Sequence, residues 1–321
     1  MREITDATHP SIGGIMSRDR CALQEDCVVM SANEHAPSRL RVMTFNIANG
    51  LETEDDGDNA WAERAALNVR TIQRYAPDLI GFQQCDQGNL ATYHSALANY
   101  QYILGPAADR PDLYGYNAIA YLRERLEALE SGGFYLSETP ETWSLGWDAT
   151  YVEALSWTRF RHRVNQWEFL HLNTHLDHIG ERARVESVRL ILRRLPALRQ
   201  ETLPVIFTGD FNCNPWAPGY RLQVETTFTD VCYHLLRAYG FADTFLATGG
   251  EDSAASFTFH GFEGARYWAA KHHMAGRIDW VLTLDEAAAL QTTSCLIVRD
   301  AEPPRYPSDH YPVLVDLAFT T

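Results

Sequence analysis

Short runs rich in apolar and β-branched residues recur along most of the chain and constrain its fold more than any other feature. Several are apolar at consecutive positions, which is typical of strands covered on both faces. Longer stretches, Ala62 to Tyr75 and Arg182 to Leu198, carry apolar residues at helical spacing. Strands in runs with few interspersed helices predict the α+β class, with helices layered over sheets. The predicted strands are Arg41 to Phe45, Leu79 to Phe82, Ala118 to Tyr121, Ser156 to Phe160, Phe169 to Asn173, Val205 to Phe207, Ile278 to Leu282, Cys295 to Val298 and Val313 to Phe319.

The domain organisation follows from length and local composition. A chain of 321 residues could hold two domains, but large sandwiches often use this much chain in one unit. We therefore predict one folded domain over residues 39–321. Residues 1–38 are mostly polar and irregular, and we interpret them as an N-terminal tail or extension.

The chain is acidic, with 42 Asp and Glu against 27 Lys and Arg and a formal net charge of -15. This charge repels polyanions unless a local basic groove or a bound cation overrides it. No apolar run reaches the roughly 20 residues that cross a bilayer, and the first residues lack the apolar core of a signal peptide. The six cysteines have no CxxC spacing, which favours reduced thiols. These features predict a cytoplasmic protein without membrane contact.

Polar residues of catalytic type stand at the ends of the predicted strands. Because a scaffold can deliver side chains from strand ends into one cleft, we expect these residues to lie together. Alone, each is weak evidence: the pair Asp210 and Asn212 is more often a turn or a cap, a lone His175 is more often structural, and Asp279 could simply pair with Arg277. The residues are Asn46, Gln83, Gln84, His175, Asp177, Asp210, Asn212, Asp279, Asp309 and His310.

Taken together, these residue types match what phosphoester cleavage requires. The reaction needs a hard cation with oxygen ligands, a base that orients water, donors for the developing phosphorane charge, and an oriented histidine. The carboxylates, amides and histidines at the strand ends supply each type. The ordered set therefore predicts a metal-dependent phosphoester hydrolase.

Longer motifs surround these residues in a fixed order. They are TFNI at Thr44 to Ile47, PDLIGFQ at Pro77 to Gln83, NTHLDH at Asn173 to His178, TGDFN at Thr208 to Asn212, RIDWVL at Arg277 to Leu282 and SDHYPV at Ser308 to Val313. The set resembles the endonuclease/exonuclease/phosphatase superfamily, which includes DNase I, apurinic endonucleases, neutral sphingomyelinases and inositol polyphosphate 5-phosphatases. Other phrases, such as LSETPE at Leu136 to Glu141, are similar to an uncharacterised bacterial branch. The resemblance implies a DNase I-like, four-layered α/β/β/α sandwich.

The resemblance also implies a catalytic role for each matched residue. Asp210 would orient or deprotonate the attacking water, and Asn212 would hold a phosphate oxygen. His310, oriented by Asp279, and His175 would stabilise phosphate charge or serve the leaving group. A carboxylate beside a histidine fixes its tautomer and favours its charged form. Water would then attack phosphorus directly, without a covalent intermediate.

The implied metal site, for Mg²⁺ or Mn²⁺, combines Asn46, Asp309 and position 84. The superfamily carries a glutamate at this last position, whereas this chain has Gln84. An amide in place of a carboxylate removes charge from the ligand, so metal affinity should fall. Three interpretations are open: a deliberate near-isosteric replacement that traps a substrate complex, a natural member with weakened or lost activity, or takeover by a nearby acid. The candidate acids are Asp86, Asp58 and Glu52.

Two further positions bear on the ligand. Asn117, just before a predicted strand, is a candidate for contact with phosphate or the metal shell and is assigned to substrate binding together with Asn212 and His175. Glu153 stands four positions before Trp157, where the related branch is expected to carry a basic residue. A basic residue there could meet substrate phosphate, so Glu153 alters the expected ligand.

The substrate is not determined by the fold, since one scaffold serves nucleases, phosphodiesterases of lipid headgroups and soluble phosphomonoesterases. The acidic charge favours a small phosphorylated molecule over long nucleic acid. Basic clusters at Arg159 to Arg163 and Arg193 to Arg194 are interpreted as solvated faces. The alternatives are a Mg²⁺-dependent nuclease and a non-catalytic member that binds a phosphate ligand. Aromatic residues of the long loops, such as Tyr116, Trp143 and Trp216, could stack on a base or sugar or simply pack on the sandwich.

Overall fold

The protein is described by a computed structural model over residues 39–50, 57–110, 115–200, 202–215, 231–267 and 276–320. The predicted tail or extension at residues 1–38 lies outside the described residues. Glu52, Trp216 and the stretch 268–275 also lie outside them. Among the described helices, none combines the length and the apolarity that crossing a membrane requires.

Strands and helices in the described part of the chain follow the sequence prediction closely and add several elements to it. The strands are β1 Arg39–Asn46, β2 Leu79–Gln83, β3 Tyr100–Ile103, β4 Ile119–Leu122, β5 Leu126–Tyr135, β6 Ala154–His162, β7 Glu168–His175, β8 Val205–Asp210, β9 Ala242–Asp243, β10 Asp279–Leu284, β11 Leu290–Ile297 and β12 Val313–Phe319. The helices are α1 Trp61–Tyr75, α2 Gln87–Ala96, α3 Glu181–Leu198, α4 Val231–Tyr239 and α5 Thr244–Ala247.

The strands form two six-stranded mixed sheets. The first has the order β11-β12-β1-β2-β4-β3, and the second has the order β5-β6-β7-β8-β10-β9. Each sheet contains a central parallel pair, β1 with β2 and β7 with β8, and all its other described pairings are antiparallel. A helix connects each parallel pair, α1 in the first sheet and α3 in the second, as parallel neighbours require.

Alternating side chains place the two sheets face to face and the helices outside. On β1, Leu40 and Val42 belong to a core with residues of the second sheet, whereas Met43 and Phe45 pack with α1 and α2. In the second sheet, Phe207 of β8 packs with residues of α3 and α4. This alternation follows from the two-residue period of a strand. The predicted α+β class and the four-layered α/β/β/α sandwich are confirmed.

A row of fully buried polar side chains, Thr44, Gln83, Asn173, Thr208 and His171, crosses the otherwise apolar space between the sheets. We call it the buried polar row. Gln83 Nε2 donates to Asn173 Oδ1 at 2.7 Å, and Thr208 Oγ1 donates to the same oxygen at 3.0 Å. Asn173 Nδ2 donates across the sheets to the carbonyl oxygen of Phe82 at 2.8 Å. These bonds offset the desolvation of the row.

Close approach within the buried polar row depends on Gly81 in β2. A Cβ atom at this position would overlap Thr208 Oγ1 and the side-chain amide of Asn173. Glycine therefore lets the first sheet approach the polar side chains of the second, where any other residue would push the sheets apart.

His171 gives the sandwich a predictable dependence on pH. Burial lowers the pKa of His171 from 6.5 to about 3, so below pH 6.5 the unfolded chain binds a proton that the folded chain does not. Stability is therefore lost as the pH falls from 6.5 towards 3. Urea unfolding at about pH 7 and about pH 4.5 should show that His171→Gln shrinks the difference in unfolding free energy by about 2 kcal/mol. The exposed His94→Gln is the control, and equal pH dependence in both variants would contradict the assignment.

Candidate active site

Strand register brings most of the predicted catalytic residues to one edge of the sandwich. Asp210 at the end of β8 pairs directly with His175 of β7 and with Asp279 of β10. Asn46, at the end of β1, is likewise paired with Gln83 of β2 in the first sheet. The side chains of these residues point into the space between the sheets, so the end of β1 and the end of β8 meet there. Asn46 Nδ2 donates to Asp210 Oδ2 at 2.9 Å and joins the sheets.

Asp210 is the centre of this cluster and is almost completely buried. Its Oδ2 atom lies 3.4 Å from His175 Nε2 and 3.6 Å from His310 Nε2, and its Oδ1 atom accepts the backbone N–H of Asn212 at 3.0 Å. Burial alone would raise the pKa of Asp210, but the positive charges of His310 and His175 hold it below its ordinary value. The carboxylate is therefore ionised, with Oδ2 close to both imidazole rings.

His310 is held between two carboxylates. Its Nδ1 atom lies 2.9 Å from Asp279 Oδ2, while Nε2 faces Asp210. Burial favours the neutral ring, but Asp279 and Asp210 outweigh it and raise the pKa of His310 to about 10. The ring of Phe259 packs against the imidazole with a centroid distance of 5.0 Å. The imidazole of His310 is therefore protonated, and its contact with Asp279 fixes its orientation.

His175 and Asn212 form the other side of the cluster. Asn212 Nδ2 lies 3.0 Å from His175 Nε2 and donates to the carbonyl oxygen of Leu176 at 2.8 Å. Burial favours neutral His175, yet Glu153 and Asp210 raise its pKa to about 9. The attraction of two carboxylates for a charged ring is stronger than one hydrogen bond from a neutral amide to an unprotonated Nε2. We therefore take His175 to be protonated, and Asn212 Nδ2 to donate to the Leu176 carbonyl instead.

Glu153 is an acidic residue of the cleft. The sequence analysis noted it only because the related branch is expected to carry a basic residue at this position. Burial raises its pKa to about 7, and the neighbouring Asp177 and Asp210 add to this effect while His175 opposes it. Glu153 lines a cleft together with Gly115, Tyr116 and Asn117. Where a basic residue was expected, the site therefore carries an acid that titrates near neutrality.

Asn117 and Asp177 hold the backbone around the cleft. Asn117 Nδ2 donates to the carbonyl oxygen of Ala154 at 2.7 Å, which ties its segment to β6. Asp177 accepts backbone N–H groups from Thr150, Tyr151, Ile179 and Gly180. Burial alone would raise the pKa of Asp177, but these donors lower it overall. Asp279, in turn, does not pair with Arg277, which binds Asp243 and Asp252 instead.

The predicted metal residues lie on three separate segments. Asn46 Oδ1 accepts the backbone N–H of Ala48 at 3.1 Å, and Asp309 Oδ1 accepts the hydroxyl of Ser308 at 3.1 Å. Gln84 follows β2 with a left-handed backbone, φ 57. Gly115 allows this turn, because a Cβ there would lie 2.8 Å from the Cα atom of Gln84.

The chemistry of the donors is compatible with a divalent cation. Carboxylate and amide oxygens are the ligands that Mg²⁺ prefers, and among the described residues Asp279 Oδ1 is buried without a hydrogen-bond partner. Ligand atoms of Asp210, Asp279 and His310 also lie within 4.8 Å of one another, a grouping that the sequence did not assign to a metal. The donor set thus fits a cation, with Asp309 as the anionic candidate and Asn46 and Gln84 as neutral amides.

The acids considered as replacements for a glutamate at position 84 are engaged elsewhere where they are described. Asp86 caps helix α2, with Oδ1 accepting the N–H of Asn89 at 2.9 Å and Oδ2 that of Gly50 at 2.5 Å. Asp58 faces Arg305 at 3.7 Å. Glu52 lies outside the described residues. Asp86 and Asp58 therefore lose support as replacement ligands.

The basic cluster on β6 is paired with acids of neighbouring strands. Arg159 contacts Glu130 at 3.0 Å, and Arg161 contacts Glu168 at 2.7 Å. Arg194 of α3 contacts Glu141. These pairs agree with the interpretation of the clusters as solvated faces, and they reduce the positive charge available to a polyanion.

Arg64 and Asn68 on α1 contact the site's loops, and sequence reasoning missed both. Their spacing, one helical turn apart beside the apolar face of Ala65, Val69 and Ile72, was the only signal for them. Such a polar pair on a helix is typical of a solvent-exposed face. Both side chains are instead almost completely buried.

The sandwich and its carboxylate–histidine cluster together define a DNase I-like class of phosphoester hydrolases. A sequence profile of the Endonuclease/Exonuclease/phosphatase family matches residues 43–310. The chain belongs to this family, and the resemblance carried by its motifs is confirmed. The family comprises phosphoesterases and nucleases, so membership defines the reaction class without choosing a substrate.

Individual relatives cover the chain to different extents. The mannosyl-6-phosphatase of Bacteroides thetaiotaomicron has a similar structure, with a TM-score of 0.73, 28% identity and coverage of 87% of this chain and 100% of that chain. An uncharacterized protein of Acanthamoeba polyphaga mimivirus is 26% identical over 186 residues, which are 54% of this chain and 67% of that protein. Nocturnin of Drosophila melanogaster is 29% identical over 189 residues, which are 53% of this chain but only 28% of the fly protein.

Proposed function

We propose that this protein is a Mg²⁺- or Mn²⁺-dependent phosphoesterase that acts on a small phosphorylated molecule. The observation that carries the proposal is the position of Asp210, buried between His175 and His310 and hydrogen-bonded to Asn46 across the sheets. This arrangement places an ionised carboxylate next to two protonated imidazole rings. The carboxylate can accept a proton from water, and the rings can donate hydrogen bonds to a phosphate group.

In the proposed reaction, Asp210 orients the attacking water and accepts its proton. His310 and His175, both protonated, donate to phosphate oxygens and offset the charge that develops as water attacks. Asn212 holds a further phosphate oxygen through its side-chain amide. Asp279 keeps His310 protonated and fixed in orientation. The proton taken up by Asp210 can pass to the leaving oxygen through an adjacent histidine.

The metal would be held by Asn46, Asp309 and Gln84. When bound, it supplies positive charge that polarises a phosphoryl oxygen. Because Gln84 and Asn46 are both neutral, Asp309 supplies the charge in this set of three, and the ion would be held more weakly than with a glutamate at position 84. We therefore propose that turnover by this chain is slow at low metal concentration.

Three observations support a small substrate. The net charge is -15, the arginines of β6 are paired with glutamates, and the cleft carries Glu153 where a basic residue was expected. Each of them disfavours a long polyanion. The mannosyl-6-phosphatase among the structural relatives, which covers 87% of this chain, is consistent with a phosphorylated sugar as one candidate.

A substrate panel tests this proposal. The chain would be assayed against sugar phosphates, other phosphomonoesters, phosphodiesters and single- and double-stranded oligonucleotides, with Mg²⁺, with Mn²⁺ and with a chelator. We expect release of phosphate from a small monoester, dependent on the metal. Salt-sensitive cleavage of oligonucleotides alone would establish the nuclease alternative. Phosphate-ligand binding without hydrolysis, even in the Gln84→Glu form with excess Mn²⁺, would establish a non-catalytic binding protein.

A further inference from the structure

Arg64, in the first turn of α1, places its guanidinium among the carbonyl oxygens of two loops, although its own helix lies in the outer layer. Only 2% of the residue is exposed. Nη1 donates to Ile47 O at 2.6 Å and Pro307 O at 3.2 Å, Nη2 to Ala48 O at 2.6 Å and Asn49 O at 2.9 Å, and Nε to Asn59 O at 2.7 Å. One side chain thus binds backbone that is far apart in sequence.

The two loops that meet at Arg64 adjoin two of the three predicted metal residues, Asn46 and Asp309. Residues 47–49 directly follow Asn46, and Pro307 precedes Ser308, Asp309 and His310. Asn68, one turn along α1, donates to the same Pro307 oxygen at 3.1 Å. The Ser308 hydroxyl adds a direct link to Asn46 O at 2.7 Å. The helix therefore binds the segment that follows β1 and the segment that precedes β12.

Ala48, in the loop at residues 47–49, links Arg64 to the side chain of Asn46. Ala48 has a left-handed backbone, φ 46, which directs its N–H to Asn46 Oδ1 at 3.1 Å and its carbonyl oxygen to Arg64. Asn46 can then present Nδ2 to Asp210. A change at Ala48 would rotate the amide that joins the two sheets.

Two aromatic rings also contact the guanidinium of Arg64. Its central carbon lies 4.9 Å from the centre of Trp61 and 5.6 Å from that of Phe262. A planar fork with several donors can bind carbonyls on both loops simultaneously, whereas a lysine ammonium is a compact charge with a different donor geometry. The arrangement thus requires the shape of arginine as well as its charge.

We propose that Arg64 is a positioning residue of the active site, which sets the separation of Asn46 from Asp309 by binding the backbone beside each. This inference rests on the proposed function, because it takes those two residues to hold the cation. Arg64 lies outside the superfamily motifs of this chain, so the proposal gives α1 a part in forming the site that those motifs do not indicate.

Arg64→Lys tests the proposal, with Arg125→Lys as the matched control. Arg125 is also a largely buried arginine, and it binds Asp78 and the carbonyl oxygen of Arg39 at the opposite end of β1. Mn²⁺ binding to the full chain would be followed by electron paramagnetic resonance, below the melting temperature of both variants. We expect at least about tenfold weaker Mn²⁺ binding in Arg64→Lys and less than about a twofold change in Arg125→Lys. Equal effects in the two variants would overturn the proposal.

Nuclear magnetic resonance of the metal-free protein separates this proposal from the proposed function. The ring signals of His310 and His175 should shift in Arg64→Lys and stay in place in Arg125→Lys, because only the first change moves the loop that carries His310. Parent chain that binds no Mn²⁺ would count against metal dependence, and the histidine spectra would then decide on Arg64. Unchanged ring signals in Arg64→Lys would leave Arg64 with a structural role only and overturn the proposal.

Discussion

Replacing Asp210 by Asn is expected to lower kcat/KM for the hydrolysed phosphoester by about three orders of magnitude. The substitution keeps the shape of the side chain but removes the carboxylate between His175 and His310 that we propose takes the proton from water. It also removes the charge that helps keep both rings protonated. Initial rates of phosphate release would be measured in the parent chain, or in the Gln84→Glu form if parent turnover is slow.

Asp86→Asn is the control for Asp210→Asn. It makes the same chemical change at a buried aspartate that also follows a strand, but whose Oδ1 atom caps α2 and whose Oδ2 atom accepts the N–H of Gly50. Asparagine keeps the cap through its amide oxygen and loses the bond to Gly50. We expect Asp86→Asn to retain most of the activity. Full activity in Asp210→Asn would show that another group activates the water, and the proposed mechanism would be wrong.

Gln84→Glu is expected to strengthen Mn²⁺ binding by at least about tenfold, because an added carboxylate raises the negative charge among the ligands of a hard cation. The change is nearly isosteric, so the left-handed turn at position 84 should persist. Activity at limiting Mg²⁺ should rise in parallel. Titration with Mn²⁺, followed by electron paramagnetic resonance, measures the affinity directly and does not depend on knowing the substrate.

Gln87→Glu provides the matched control for this second prediction. It adds the same charge three residues further along, on the exposed first turn of α2, where only long-range attraction for the cation increases. If both variants bind Mn²⁺ equally well, the gain at position 84 is not due to ligation. If Gln84→Glu changes nothing while Glu153→Gln weakens binding, Glu153 is the acid that holds the cation.

The central strands and the grouping of the catalytic residues could be predicted from sequence for the same physical reason. Buried strands such as Leu79 to Phe82 carry consecutive apolar residues, and a polar residue placed directly after such a run must lie at a sheet end. His175, Asp210 and Asp279 could therefore be assigned to one edge. Their direct register pairing could not, because it depends on which strands are neighbours.

The elements that the sequence analysis missed are those whose formation depends on tertiary contacts. Strand β5 contains charged residues and the pair Gly132 and Gly133, so its sequence lacks a strand pattern, yet it pairs with β6 along its length. Helix α2 has few apolar residues and begins because Asp86 and Asn89 form a reciprocal cap. Arg64 belongs to the same category, since nothing in its local sequence reveals that its side chain binds two distant loops.

The buried polar row has a consequence for how the sheets are aligned. Apolar contacts tolerate sliding because they have no preferred direction, whereas the bonds of Gln83, Asn173 and Thr208 are directional. An offset of one residue between the sheets would leave several buried donors and acceptors unpaired, at roughly 1–3 kcal/mol each. Asn46 follows Thr44 of this row by two residues on β1, and Asp210 follows Thr208 by two residues on β8. The interior of the sandwich therefore sets the width of the cleft. Changes in the surrounding loops can alter which ligand binds while the reacting groups keep their spacing.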